Sequence, residues 1–323
     1  MAPAGDSRTL CIEDHLASQD KGEESVGTQA STSSSLTFRP MANDFGAMIE
    51  GLDLDAIDAA AAARLDEALH RYGVLFYRRG AEISEAEFLT LGNALGEIII
   101  YPYRRNDYDD ADQRLNFVDM EADTTTELRT AAWHTDGTPE PLPPQSAMLN
   151  PVIVPEVGGD TMWASMYAAY EALSPAMQAF FEGMTAKHGT AKLVERTKGK
   201  ALYKIPDSLA NREPFSHPVI AVHPETGRKL LNVNNNWTIS LDGMTKAESD
   251  HWLQFLLDHV KSPEFQVRHR WSVGDMIFWD NRCVQHYAVA DYTERRLMQR
   301  IVMSGSRPLA IGEKPQLEAV AAE

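Results

Sequence analysis

From residue 36 onward the hydrophobic positions recur with two different periods. In the Ala- and Leu-rich stretch 56–72, Ile57, Leu65 and Leu69 fall on a helical spacing, and Gly73 stands where a helix would stop. Residues 74–77 form a short continuous apolar run that reads as a buried strand. Ser84 with Glu87 three residues later makes a capping box, which predicts a helix running to Leu95 and ending at Gly96. Residues 98–101 read as a second strand. Residues 104–130 are polar, rich in Asp and Thr, and read as a long loop with some local order, of the kind that is usually functional or mobile.

From Ala147 the pattern changes. Short apolar stretches at 218–222, 230–233, 267–271, 276–279 and 297–303 alternate with Gly and Pro turn signals such as 155–159 and 224–227. Two helical segments, 167–184 and 246–260, interrupt them. Many short strands with such turns predict a mainly β domain with flanking helices, built as an antiparallel sandwich or jelly roll. The expected organisation is a tail over 1–36, one domain over 37–309 and a C-terminal tail over 310–323. The first tail is polar, has a Ser/Thr run at 31–35 and lacks apolar patterning, so it reads as disordered and without assigned function. It has no secretory-type apolar stretch, and its acids argue against a mitochondrial presequence.

Composition narrows the function classes. The chain has 323 residues, 43% of them hydrophobic, which allows a core of useful size, and its net charge is −17. That charge lacks the footprint of a nucleic-acid binder. No apolar run reaches membrane-spanning length. The cysteines are Cys11 and Cys283. Cys11 lies in the polar tail, so a reduced, cytoplasmic setting is expected, with Cys283 acting as a small buried residue.

The chemistry rests on two fragments far apart in the chain. Trp133-His134-Thr135-Asp136 and Asp280 to His286 supply two imidazoles and one carboxylate, His134, Asp136 and His286. That ligand set forms a facial triad, which holds Fe(II) and leaves positions open for substrate and O2. His134 and Asp136 are two apart, so on a strand both reach one ion. His286 must then arrive from another strand. A His-x-Asp pair alone is weak in a chain with 10 His. Its context strengthens it: Trp133 and Gly137 bracket a strand that ends at a pocket, and Gly158-Gly159-Asp160-Thr161 puts a hydroxyl at a strand start. His217 and His223, each followed by Pro, are set aside, as are His15, His70, His251 and His259. Arg296 and Arg300 share one strand face but sit about 13 Å apart at strand rise. They therefore do two jobs, or one of them is structural. An oxo-acid cosubstrate fits their position after the second fragment.

At these residues the chain resembles the Fe(II)/2-oxoglutarate-dependent dioxygenases of the taurine and phenoxyacetate dioxygenase family. The likeness covers most of residues 37–308. It is densest at 263–268, at Trp279 to Arg282 with Gln285 to Ala288, at Asp291-Tyr292, at 133–136 and at 158–163. The resemblance implies a double-stranded β-helix core (jelly roll, cupin-like), iron at His134, Asp136 and His286, and Thr161 hydrogen-bonded to 2-oxoglutarate. It implies that Arg296 meets the distal carboxylate of that cosubstrate. The spacing from His286 is one residue shorter than the family pattern, so Arg295 stays an alternative. It also implies Arg300 on an acidic group of the substrate and an aromatic wall at Trp237. Tyr101 stands where taurine-binding relatives carry His, Thr130 where they carry Asn, and Gly137 where they carry a larger residue.

The implied reaction uses O2 and 2-oxoglutarate, yields succinate and CO2, and oxidises a C–H bond of a small organic anion, with or without C–S or C–O cleavage. Because Asp136 is present, halogenation is not expected. Tyr101, Tyr103, Arg104, Trp237 and Arg300 form the candidate substrate shell, aromatic walls with cations. Lys192, Arg196, Lys198 and Lys200 read as a solvated basic loop or a lid. Two alternatives stay open: a tailoring oxygenase that hydroxylates, desaturates or epoxidises, and a non-catalytic metal-binding β-sandwich. Many relatives are homo-oligomers, although no interface signal stands out in this chain.

Overall fold

Gly73 ends the first helix as its position predicts: it takes φ +70° and donates to Leu69 O at 2.7 Å. The computed structural model describes residues 36–42, 44–103, 111–120, 132–197 and 207–315. Of the expected tail over 1–36, residues 1–35 lie outside them, and its last residue does not behave as tail. Leu36 is buried, and its carbonyl accepts from Arg64 Nη2.

In chain order the strands begin with β1 (Thr37–Ala42), β2 (Phe45–Glu50), β3 (Val74–Arg78), β4 (Asn116–Met120) and β5 (Ser146–Ile153). There follow β6 (Thr161–Ser165), β7 (Thr185–His188), β8 (Phe215–Pro218), β9 (Ile220–Val222) and β10 (Lys229–Leu231). The last are β11 (Thr238–Leu241), β12 (Gln266–His269), β13 (Asp275–Asp280), β14 (Val284–Ala288) and β15 (Arg296–Val302). The helices are α1 (Ala59–Tyr72), α2 (Glu85–Leu95), α3 (Met166–Glu171), α4 (Pro175–Phe181), α5 (Ala191–Thr197), α6 (Asp207–Ala210) and α7 (Lys246–His259).

Seven strands form the large sheet, in the order β1-β2-β3-β13-β5-β15-β4, with only β2 and β3 parallel. A small sheet, β12-β6-β14, faces it across the inner core, and β11-β7-β8 and β10-β9 extend the β structure. This is the expected jelly roll. Strand β13 shows why its apolar run is continuous. Ile277 and Trp279 enter the inner core with Trp163 and Phe76. Met276 and Phe278 point the other way, under α1 and α2 with Leu65, Leu69 and Phe88. A strand covered on both faces has no polar side to alternate with. On β15 the even positions Met298 and Val302 face inward, and Arg296 and Arg300 share that parity.

The local order expected within 104–130 is β4, which pairs with β15 at the sheet edge; residues 104–110 and 121–130 fall outside the described set. Three expectations fail. Residues 98–101 are not a strand: Ile98 makes one bridge to Met303, and Ile100 is 58% exposed. The helical stretch 167–184 is two helices. Pro175 cannot sit inside a helix without losing a hydrogen bond, so it opens α4 behind the Ser174 cap. Helix α1 starts three residues later than read, capped by Asp58, which accepts from Ala61 N.

The capping box of α2 gives a pH prediction. Glu87 is lowered to about 2, first by the Ser84 hydroxyl and amide and then by Arg79. A depressed carboxylate contributes stability that is complete above its unfolded pKa and lost as pH falls through the folded one. Glu87→Gln is therefore expected to flatten the fall of Tm between about pH 4.5 and 2, measured by thermal melts in low salt. An unchanged slope would contradict the assignment.

Candidate active site

His134 and His286 face each other across one antiparallel bridge. His134 N–H donates to His286 O at 3.1 Å, and His286 N–H donates to His134 O at 2.8 Å. Residues paired this way project to the same side of a sheet, and the ring centroids are 4.1 Å apart. On its other edge β14 pairs with β6, with Trp163 opposite His286. Trp279 packs on the His286 ring at 4.9 Å. The expected strand through His134 and Asp136 reduces to that single bridge, because the chain turns at Thr135 to Gly137. Even so, Asp136 Oδ1 lies 3.8 Å from His134 Nε2, and Oδ2 lies 4.0 Å from His286 Nε2. One ligating atom from each residue falls within 4.8 Å of the others.

The electrostatics suit a cation held by these donors. Burial foremost, then His134, lowers His286 to about 3 against the pull of Asp136, so the imidazole is neutral. Burial alone would raise Asp136; Arg300 foremost holds it below its ordinary value. His134 Nδ1 lies 2.7 Å from Ala132 O, a contact that requires Nδ1–H and turns Nε2 toward Asp136. Two imidazoles and a carboxylate on one face are the donor set that suits a divalent transition ion with open positions.

Arg300 Nη1 lies 3.0 Å from both Asp136 oxygens, and its guanidinium covers the Tyr101 ring at 4.5 Å. Tyr101 donates to Asp136 Oδ1 at 3.4 Å. From there the aromatic rings continue, Tyr101 to Tyr103 at 5.5 Å and Tyr103 to Trp237 at 5.2 Å. Glu140 accepts from the Tyr103 hydroxyl at 2.8 Å and also bonds Arg212. Tyr101, Tyr103, Trp237 and Arg300 thus form one wall beside the three donors. Arg104 and Thr130 lie outside the described residues. Lys192 sits on α5 and donates to Asn235 O at 3.1 Å.

A second group lies further along the small sheet. Thr161 and Trp163 share a face of β6, opposite Ala288 and His286 respectively, so Thr161 stands about 7 Å along the strand from the level of His286. Arg296 Nη2 donates to Thr161 Oγ1 at 3.2 Å, and its Nε donates to Gly159 O at 3.0 Å. Gly158 and Gly159 both adopt positive φ, and a Cβ on Gly158 would meet Asp291 O at 2.5 Å, so the turn that presents Gly159 O requires glycine. Arg296 is 3% exposed, and burial lowers its pKa. Among the described residues its guanidinium hydrogen-bonds only neutral oxygens. Trp271 Nε1 also donates to Thr161 Oγ1, at 2.9 Å. Two donors occupy the oxygen, which leaves the Thr161 O–H to donate outward. Arg295 points away and pairs with Asp119 at 2.8 and 3.0 Å. The two inward arginines, Arg296 and Arg300, have separate partners.

The profile of the family described as "Taurine catabolism dioxygenase TauD, TfdA family" matches residues 37–302. The chain belongs to this family. It is 32% identical over 279 residues to an alkylsulfatase of Acinetobacter baylyi, covering 84% of this chain and 85% of that protein. It is 31% identical over 290 residues to an alpha-ketoglutarate-dependent sulfate ester dioxygenase of Pseudomonas putida, covering 85% and 92%. The crystal structure of a taurine dioxygenase from Burkholderia xenovorans superposes with a TM-score of 0.71 at 28% identity, over 86% of this chain and 93% of that one. The TauD/TfdA chain is thus an enzyme of the 2-oxoglutarate (alpha-ketoglutarate) dioxygenase class.

Sequence reasoning missed two side chains at the site of this TauD/TfdA member. Trp271 fixes Thr161, and nothing in its neighbourhood in the sequence signals that. Asn281 bonds the backbone of Asp136; it lies inside the quoted 280–286 fragment, which was the only signal. His223, set aside as a ligand, lies 3.3 Å from the carboxylate of Glu225 two residues on, and with Asp280 and Cys283 it forms a second cluster of possible ligand atoms. That cluster is closed. Arg282 donates to both Asp280 oxygens at 2.9 and 2.7 Å, and His223 Nε2 lies 2.9 Å from Oδ2. Burial first, and then Asp280, pushes the Cys283 thiol well up. Cys283 is a buried thiol, as expected. A cavity of about 430 Å³ opens on the other side of the histidine bridge, lined by Trp133, Tyr287, Met162 and Leu257; the neighbours of the two histidines face away from the donors. No helix among the described residues is long and apolar enough to cross a membrane.

Proposed function

We propose that the protein holds Fe(II) through His134, Asp136 and His286 and uses 2-oxoglutarate and O2 to oxidise a C–H bond of a small organic anion. The observation that carries this reading is Arg296, a buried cation with neutral partners, beside a Thr161 hydroxyl left free to donate. The carboxylate that acts on Arg296, Asp160, is itself paired with Arg268; a buried charge with so little compensation is costly, and an anionic cosubstrate relieves that cost. The planar fork of Arg296 suits the distal carboxylate, with Thr161 donating to the same group. Iron bound at the three donors would supply the redox chemistry, in which decarboxylation of 2-oxoglutarate to succinate and CO2 drives substrate oxidation. The chain's own residues bind and orient. Trp271 fixes the Thr161 hydroxyl, Trp279 shields the His286 ring, and Tyr101 keeps water from Asp136. Arg300 holds the acidic group of the substrate, with Tyr103 and Trp237 along its apolar part.

The relatives named for sulfate esters make alkyl sulfates the first substrates to try. Oxidation at the carbon bearing the ester oxygen would release sulfate and leave an aldehyde. A reduced, cytoplasmic setting agrees with a buried free thiol at Cys283. The test is succinate formation by Fe(II)-loaded protein with 2-oxoglutarate and O2, across alkyl sulfates, sulfonates, aryloxy acids and amino acids. Stimulation by one class is expected and names the substrate type. Absence of succinate under every condition sinks the proposal.

A further inference from the structure

We propose that Asn281 is a positioning residue that holds Asp136 in place for the metal before any metal arrives; this rests on the reading of Asp136 as a ligand. Along the ladder set by His134 and His286, the next hydrogen-bonded pair would be Asp136 with Val284. It does not form, because the bridge is isolated. The Thr135 hydroxyl donates to Val284 O at 3.2 Å instead, and the chain turns away. The Asn281 side chain takes over the missing strand's role. Its Oδ1 accepts from Asp136 N–H at 2.9 Å, and its Nδ2 donates to Asp136 O at 2.9 Å and to Pro144 O at 2.9 Å.

Only Asn fits this position. The site needs one acceptor and two donors on a side chain this short, and Asp has no donor when ionised. Asn281 has no solvent exposure, so each lost bond would leave a buried polar group unpaired. Its neighbours anchor it. Buried Asp280 pairs with half-buried Arg282, and the chain of contacts continues to His223 and Glu225. Pro144 in turn closes on Gly137, where φ is +64° and a Cβ would lie 2.7 Å from Pro144 Cδ. The turn that carries the carboxylate is therefore pinned from both sides.

The test is Mn(II) titration by calorimetry, without 2-oxoglutarate, on wild type, Asn281→Asp, Asn281→Ser, His134→Ala and Leu69→Ala. Both Asn281 variants, checked for folding by circular dichroism, are expected to lose about 10–100-fold in Mn(II) affinity, the range for partners that orient a ligand. Leu69→Ala loses stability in the helix layer but should keep wild-type affinity. A folded Asn281 variant within twofold of wild type overturns the proposal, as does an equal loss in Leu69→Ala. If neither Asn281 variant folds, amide exchange at Asp136 in metal-free wild type decides: a protected amide supports the clamp, and an unprotected one overturns it. Wild type that binds no Mn(II), or His134→Ala that binds it normally, overturns the metal reading itself.

Discussion

Replacing His286 with Ala is expected to abolish Fe(II)-dependent succinate formation and to lower Mn(II) affinity by more than the ~100-fold upper range seen for lost orienting partners. The backbone bridge to His134 survives the change, since it uses only main-chain atoms. What disappears is a neutral imidazole, one of only three donors. Two remaining donors cannot define a face. The loss should also leave a gap beneath Trp279, so some stability goes with it. Steady-state succinate assays and calorimetry on the folded variant check the result, and a wild-type rate would rule out the assignment.

Arg296→Met is expected to separate cosubstrate binding from stability. Truncating one partner of a buried charged pair costs about 2–5 kcal/mol, so the KM for 2-oxoglutarate should rise on the order of 30- to 4,000-fold. Mn(II) affinity should not move, since Arg296 bonds Gly159 and Thr161 rather than the three donors. In ligand-free protein the same change removes a buried cation that bonds only neutral oxygens, so Tm should hold or rise. Arg295→Met should leave KM unchanged, because that side chain pairs with Asp119 on the other face. A KM for Arg296→Met within threefold of wild type would falsify the role given to this residue.

Local signals were legible wherever the chain resolves its own hydrogen bonds. The capping box of α2 and the glycine stop of α1 depend on residues within one turn, and both appear where the sequence puts them. Features that depend on distant partners were not legible. Strand β4 hides in polar sequence because its buried Asp119 is satisfied by Arg295, 176 residues away. Residues 98–101 look like a strand because they are apolar, yet Ile100 faces solvent. The same division holds at the site. That His134, Asp136 and His286 come together could be read from residue type and spacing. The roles of Asn281 and Trp271 could not, because each acts through side-chain hydrogen bonds whose partners lie more than 100 residues off.

The three donors and the aromatic wall are built on different kinds of backbone. His286 lies within a strand and His134 in a bridge to it, whereas Tyr101, Tyr103 and Trp237 lie in irregular segments and a turn. Insertions and substitutions are tolerated in such segments far better than in a ladder. On the proposed reading, the aromatic part of the wall can therefore be exchanged through its loops while the three donors stay as they are, and Arg300, held on β15, stays with them.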